Sequence, residues 1–132
     1  MKSCTTRVCP GSKGIGLEIT KTFLKHQANV IILARNKPKR KIQSKDNAGY
    51  FIECDIRNTE SIDSAIKDIA SKYKSIDVLI NNAGGAPMAD SLTASPKFHE
   101  AIIDLNLTAP LNLSQKIAKK MIDEYNLKPN SK

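Results

Sequence analysis

Apolar positions along the chain fall into two kinds of block. In the first kind, Ile15, Ile19, Phe23 and Leu24 recur at helical spacing as far as about His26, behind a β-rich stretch from Thr5 to Cys9 and the glycine-rich stretch Gly11 to Gly16. In the second kind, Asn29 to Ala34 forms a short, nearly continuous apolar run without alternation. Such a run suits a strand covered on both faces of a parallel sheet. The order strand, glycine-rich turn, helix, strand is that of a βαβ unit. Further on, Tyr50 to Cys54 predicts a third strand, and Ile62, Ile66, Ile69 and Tyr73 mark one face of a helix opening near Asn58 or Thr59, both good N-caps. Ile76 to Ile80 predicts a fourth strand. After a loop holding Gly84, Gly85 and Pro87, a long helical segment runs from about Ser95 to Tyr125, with Phe98, Ile102, Leu105, Ile117 and Met121 available for its buried face.

Strands alternating with helices give a parallel sheet with right-handed crossovers. The expected fold class is therefore α/β, a Rossmann-type doubly wound parallel sheet in a single domain, 1–132, that reaches the fourth strand and the helix after it and stops there. In such sheets ligands bind at the carboxyl ends of the strands. A chain of 132 residues is long enough for this: it buries roughly two-thirds of the surface its unfolded form exposes.

Composition narrows the class and charge adds a feature. The apolar fraction of 40% and charged fraction of 26% are those of a soluble globular domain. Met1 to Gly14 holds no apolar run suited to a signal peptide, and no run of about 18 apolar residues occurs, so the expected address is cytoplasmic with no membrane partner. Cys4, Cys9 and Cys54 form no Cys-x-x-Cys pair and read as reduced thiols; no metal site is expected, and His26 and His99 read as surface helix residues. Net charge is +8, with Arg35, Lys37, Lys39, Arg40, Lys41 and Lys45 close together. That cluster attracts phosphate, although its plainest reading is a solvated loop. It carries no interleaved aromatic residues for base stacking, so nucleic acid is not an expected partner.

The candidate chemistry starts at Gly11-Ser12-Lys13-Gly14-Ile15-Gly16, between a strand and a helix. There, glycines permit a tight turn and let a pyrophosphate approach the N–H groups of the helix N-terminus. In NAD-selective units of this kind an acidic residue about 20 positions later binds the ribose 2′-hydroxyl. Here the corresponding strand end offers Ala34 and Arg35, and a guanidinium suits a 2′-phosphate. Asn106 lies mid-helix four residues before Pro110, which has no N–H to give to the Asn106 carbonyl, so a kink with a free carbonyl is expected there.

With these residues in view the chain resembles the short-chain dehydrogenase/reductase family, whose fingerprint is Thr-Gly-x-x-x-Gly-x-Gly. Ala34-Arg35-Asn36 after the second strand, Asp55 after the third, Asn81-Asn82-Ala83-Gly84 after the fourth and Asn106 in the long helix follow in the family's order, and the resemblance covers nearly the whole chain. It implies an NADP(H)-dependent oxidoreductase acting on a small-molecule carbonyl or alcohol, with NADP(H) chosen over NAD(H) for want of the acid. It also implies roles: Gly11, Ser12, Lys13, Gly14, Ile15 and Gly16 as the cofactor loop, with Gly14 and Gly16 facing the pyrophosphate; Lys13 and Arg35 near the 2′-phosphate; Asp55 and Ile56 at the adenine. Asn82 and Ala83 would lie along the adenine ribose, Gly84 would leave room for the cofactor, and the Asn106 backbone carbonyl would hold a water of the proton relay, the one catalytic-site residue present. Relatives commonly form dimers and tetramers through the long helix and the one after it; the resemblance thus allows a homo-oligomer and leaves the oligomeric state open.

Three departures stand out. Pro10 occupies the family's first glycine position, and Arg7 places a guanidinium in a strand expected to be central and apolar. The family's serine and Tyr-x-x-x-Lys pair are not found: Tyr50, Tyr73 and Tyr125 are followed four places on by Cys54, Asp77 and Pro129. The chain thus reads as an N-terminal fragment that does not turn over substrate alone. The alternative is a non-catalytic nucleotide-binding module or pseudoenzyme.

Overall fold

In the computed structural model four strands, β1 (Arg7–Cys9), β2 (Val30–Ala34), β3 (Tyr50–Glu53) and β4 (Val78–Leu79), form one sheet in the order β3-β2-β1-β4, every neighbour parallel. The structure describes residues 12–126 and the backbone of Arg7–Cys9; the expectations for Pro10, Gly11 and the Arg7 side chain lie outside the described residues. Arg7 pairs with Val30 on one side and Val78 on the other, which makes β1 central as its place in the sequence demands. The chain steps outward from β1 to β3 and then returns to β4, so the strand order reverses at β1, the position where a doubly wound sheet opens a crevice.

The unbroken apolar run of β2 is explained by its two covered faces. Ile31 and Leu33 pack with Ile52, Ile62, Ile69, Leu113 and Ile117, while Val30 and Ile32 pack with Leu24, Ala28 and Ile42. Helices α2 (Thr59–Lys72) and α4 (Ala109–Asn126) thus cover one face, and α1 (Gly14–Lys25) covers the other together with Ile42 from the crossover. An ion pair between Lys116 and Asp63 joins α4 to α2. Asn58 caps α2 by accepting the N–H of Ser61 at 2.9 Å, as its residue type suggests.

The crossover from β2 to β3 contains no helix among the described residues. Its second half is a small hairpin: Gln43 bridges Ala48, and the Gly49 N–H donates to the Ile42 carbonyl at 2.9 Å. Asn47 Nδ2 donates to the Ala28 carbonyl at 2.7 Å and Ser44 Oγ to that of Leu24 at 3.2 Å, so the hairpin is clamped to the end of α1 and Ile42 is held in the core.

Two expectations are adjusted. The fourth strand is shorter than Ile76 to Ile80, because the Ile76 N–H is taken at 3.0 Å by the Glu124 carboxylate of α4 rather than by a neighbouring strand. The long helical segment is continuous but changes form: α3 (Pro96–Ile103), opened by a Ser95 cap and Pro96, passes through a π turn (Asp104–Thr108) into α4. Pro110 lies in the first turn of α4, where its ring needs room against the carbonyl four residues back, and the wider turn supplies it. Among the described residues no helix is long and apolar enough to cross a membrane.

Candidate nucleotide-binding site

A cavity of about 980 Å³ lies beyond the carboxyl ends of β2 and β3, within the roughly 300–1,000 Å³ usual for small-molecule and cofactor sites. Each element contributes through its end. Ser12 and Lys13 come from the approach to α1, Ala34 and Arg35 from the end of β2, Cys54, Asp55 and Ile56 from the end of β3, Ala83 and Gly84 from the loop after β4, and Leu105 from the π turn. Lys37, Lys39, Arg40 and Lys41 form the outer wall, so the basic segment is not merely a solvated loop; it borders this space. Lys21 of α1 also lines it and pairs with Glu18 at 2.7 Å. Among the described residues the only carboxylate on the lining is that of Asp55.

Asp55 is held by its own loop. Its Oδ1 accepts from the backbone N–H and from Nε of Arg57, each at 3.1 Å, and its Oδ2 accepts from the other arm of the same guanidinium at 2.8 Å. This pairing, with a further contribution from the positive charge of Arg35, holds the carboxyl below the usual carboxylate range. The Asp55 N–H donates to Ser61 Oγ at 3.1 Å and its carbonyl accepts from the Asn58 N–H at 3.0 Å, so the N-terminus of α2 fixes the backbone on which Asp55 stands. Cys54 beside it is buried, and burial pushes its thiol up; it is a neutral, apolar part of the wall.

Gly14 opens α1 with φ +54°, in the left-handed region that a residue with a Cβ enters only at a cost. Lys13 precedes it without a side-chain cap to the helix, and no acidic residue stands in the first turn of α1, so that the positive end of the helix dipole carries no neutralising carboxylate among the described residues. Gly14, Ile15 and Gly16 form that first turn and do not themselves line the cavity. Ile15, expected on the buried face of α1, is 75% exposed and lines a separate apolar hollow of about 660 Å³ with Ile19, Phe23 and Ile80. It lies on the flank of α1 that looks toward the end of β4, not on the flank that rests on β2.

Asn106 is exposed, but its side chain is fully engaged. Its Nδ2 donates to the carbonyls of Gly85 at 3.0 Å and Ile102 at 2.8 Å, and its Oδ1 accepts from the Gly85 N–H at 2.8 Å. A Cβ at position 84 would stand 2.8 Å from that Oδ1, so a glycine there is what lets the loop close onto the π turn. Asn81 anchors the other end of the loop to α4 by donating to Ser114 Oγ at 2.8 Å. Asn82, half-buried, sits between these two anchors and outside the cavity lining.

The geometry therefore brings Ser12, Lys13, Arg35, Asp55, Ile56, Ala83 and Gly84 to one space and leaves Gly14, Ile15, Gly16, Asn82 and Asn106 beside it. Sequence reasoning missed Arg57, Lys21 and the cavity-facing half of the basic segment. Arg57 carries a local signal, an arginine two residues after the candidate carboxylate; the basic segment carries its charge, whose plainest reading is a solvated loop, and Lys21 carries none. Residues 5–126 match the short chain dehydrogenase family profile. The chain belongs to the short chain dehydrogenase family. Members similar to it include a fatty acyl-CoA reductase of Mycobacterium tuberculosis, 34% identical over 122 residues, a match covering 85% of this chain and 40% of the relative. Among solved structures, the ligand-free aldohexose dehydrogenase of Thermoplasma acidophilum superposes with a TM-score of 0.81 at 30% identity, covering 92% of this chain and 46% of that one. A short chain dehydrogenase of Bacillus anthracis gives 0.83 at 29% identity, with 92% and 52% covered. The chain thus spans about half the length of the short chain dehydrogenases it matches.

Proposed function

We propose that this chain is the nucleotide-binding half of a short chain dehydrogenase that uses NADP(H) in preference to NAD(H). The observation that carries the reading is the cavity in which Lys13 and Arg35 stand together at the ends of two adjacent elements, with no acid at the end of β2. A 2′-phosphate fits that pair, and an NAD-selecting carboxylate is lacking there. Within this reading Gly11, Ser12, Gly14, Ile15 and Gly16 form the pyrophosphate loop, with Gly14 and Gly16 facing the phosphates. Ile56 and Asp55 receive the adenine, apolar contact from one and a hydrogen-bond acceptor from the other. Asn82, Ala83 and Gly84 run along the ribose. Asn106 has two duties: its side chain latches the Gly85 loop, and its backbone carbonyl, within the π turn, is the water-binding group of the active site.

The cofactor, when bound, supplies the hydride; everything else needed for reducing a carbonyl is a proton donor and a substrate pocket. Tyr-x-x-x-Lys does not occur in these 132 residues, so the chain alone is expected to bind NADPH without consuming it, and the substrate, a small carbonyl or alcohol, belongs to the whole protein. A cytoplasmic location goes with this reading. Fluorescence titration followed by an assay of NADPH oxidation with a panel of carbonyl compounds tests it. Saturable binding without turnover is the expected result; turnover by the isolated chain contradicts the assignment of roles, and absence of binding contradicts the reading as a whole.

Self-association through the long helix fits the exposed apolar side chains Ile103, Leu107, Leu111, Ile122 and Tyr125 along α3, the π turn and α4. Sedimentation of the chain and of Leu107→Glu checks it: a wild-type protein that stays monomeric at high concentration removes this part of the proposal.

A further inference from the structure

Arg57 is the group in contact with the cavity lining to which the reading above gives no role. It is exposed, and an exposed ion pair contributes little to stability, a median of about 0–1 kcal/mol. The geometry of this one is nevertheless specific. Both arms of the guanidinium and the Arg57 N–H converge on the Asp55 carboxylate, and the charge of Asp104, the first residue of the π turn, also acts on the guanidinium. A carboxylate has about four lone-pair positions. Arg57 takes two on Oδ1 and one on Oδ2, so a single position on Oδ2 is left for a donor in the cavity.

Resting on the nucleotide reading above, we propose that Arg57 is a positioning residue for base selectivity: by fixing the Asp55 carboxylate it makes the cavity accept a purine whose 6-substituent is an amino donor and reject one whose 6-substituent is an oxo acceptor. A carboxylate free to rotate, or protonated, distinguishes these bases poorly, because a carboxylic acid donates to an oxo group as readily as a carboxylate accepts from an amine. The charged groups around Asp55 are Arg57 of its own loop and Arg35 at the end of β2, with Lys13 on the opposite lining and the neutral Cys54 thiol adjacent. The two arginines keep the carboxyl ionised as pH falls into the range where an ordinary aspartate takes up a proton, near pH 4. Base selectivity therefore persists in acid in the unmodified chain and fades at higher pH once Arg57 is gone.

The test is a titration of the full chain with NADPH and with its hypoxanthine analogue, in which an oxo group replaces the adenine 6-amino group. It is run between pH 4.5 and 8 on the wild type, Arg57→Gln and Arg57→Lys, with circular dichroism to confirm folding. The wild type is expected to favour the amino base by about tenfold, the worth of one hydrogen bond to a charged group, with a flat profile over this range. Arg57→Gln is expected to lose most of that preference and to lose more of it at the acid end of the range, and Arg57→Lys, a point charge without the fork, to fall between. Equal wild-type affinities, or a folded Arg57→Gln with an unchanged preference and profile, overturn the role of Arg57 and leave the nucleotide reading standing. Binding of neither nucleotide by the wild type overturns both. If Arg57→Gln does not fold, Arg57→Lys decides, since an undiminished preference there overturns the proposal.

Discussion

In the proposed reading, Lys13 and Arg35 are the residues on which cofactor choice turns. Both are exposed cations on the lining of one cavity, and each offers a 2′-phosphate a charge-assisted hydrogen bond worth roughly 1.5–3 kcal/mol. Arg35→Asp combined with Lys13→Ala is therefore expected to weaken NADPH binding by at least about tenfold and to erase or reverse the preference over NADH, because the new carboxylate repels the phosphate and accepts from the 2′-hydroxyl. Competitive titration at fixed salt reads this directly; a double variant that keeps the preference contradicts the assignment. Arg35 is legible in the sequence because it follows directly on an apolar strand, where a doubly wound sheet places its ligand, and Asp55 is legible through the family resemblance. The side-chain work of Asn106 is not. Its partner Gly85 is 21 positions away, and their meeting depends on the π turn and on the missing Cβ of Gly84. Ile15 misleads for a related reason, since helical spacing gives its face but not whether that face is covered.

At the level of elements, α1 ends in a manner that its residues do not favour. The Ala28 N–H returns to the Phe23 carbonyl at 3.1 Å and the Gln27 N–H to that of Leu24 at 3.0 Å, a Schellman ending that puts Gln27 at φ 58°. Glycine is the residue suited to that position. Gln27→Gly is accordingly expected to stabilise the fold by up to about 1 kcal/mol, seen as a higher denaturant midpoint at unchanged slope. A lower midpoint would mean that the Gln27 side chain contributes more than its backbone costs. The ending itself is invisible to sequence patterning, because no glycine marks it. By contrast β2 is legible from Val30 to Leu33, since four successive buried apolar residues require two covered faces. The irregularity in the long helix is legible at Pro110, but its form as a π turn is not: proline dictates that a bond is lost, and the neighbouring packing decides how the chain absorbs it. The shortness of β4 is likewise set from outside, by a carboxylate 48 residues further on.

For the molecule as a whole, the sheet order β3-β2-β1-β4, the cavity at the strand ends and the excess of cations around it act together. The sheet brings the ends of β2 and β3 and the loop after β4 to one side; the hairpin clamped to α1 turns Lys37 to Lys41 toward the same space; the Asn106 latch and the capped start of α2 hold the remaining walls. The clustered cations raise the local concentration of any polyanion and the fixed groups select among them. The central claim is that this arrangement is a preformed site for a 2′-phosphorylated adenine dinucleotide. The measurement that tests it most directly is an equilibrium titration of the unmodified chain with NADPH and NADH at one fixed ionic strength. The account predicts saturable one-site binding of NADPH with clearly weaker binding of NADH, and equal affinities, or no binding of either nucleotide by the folded chain, would contradict it.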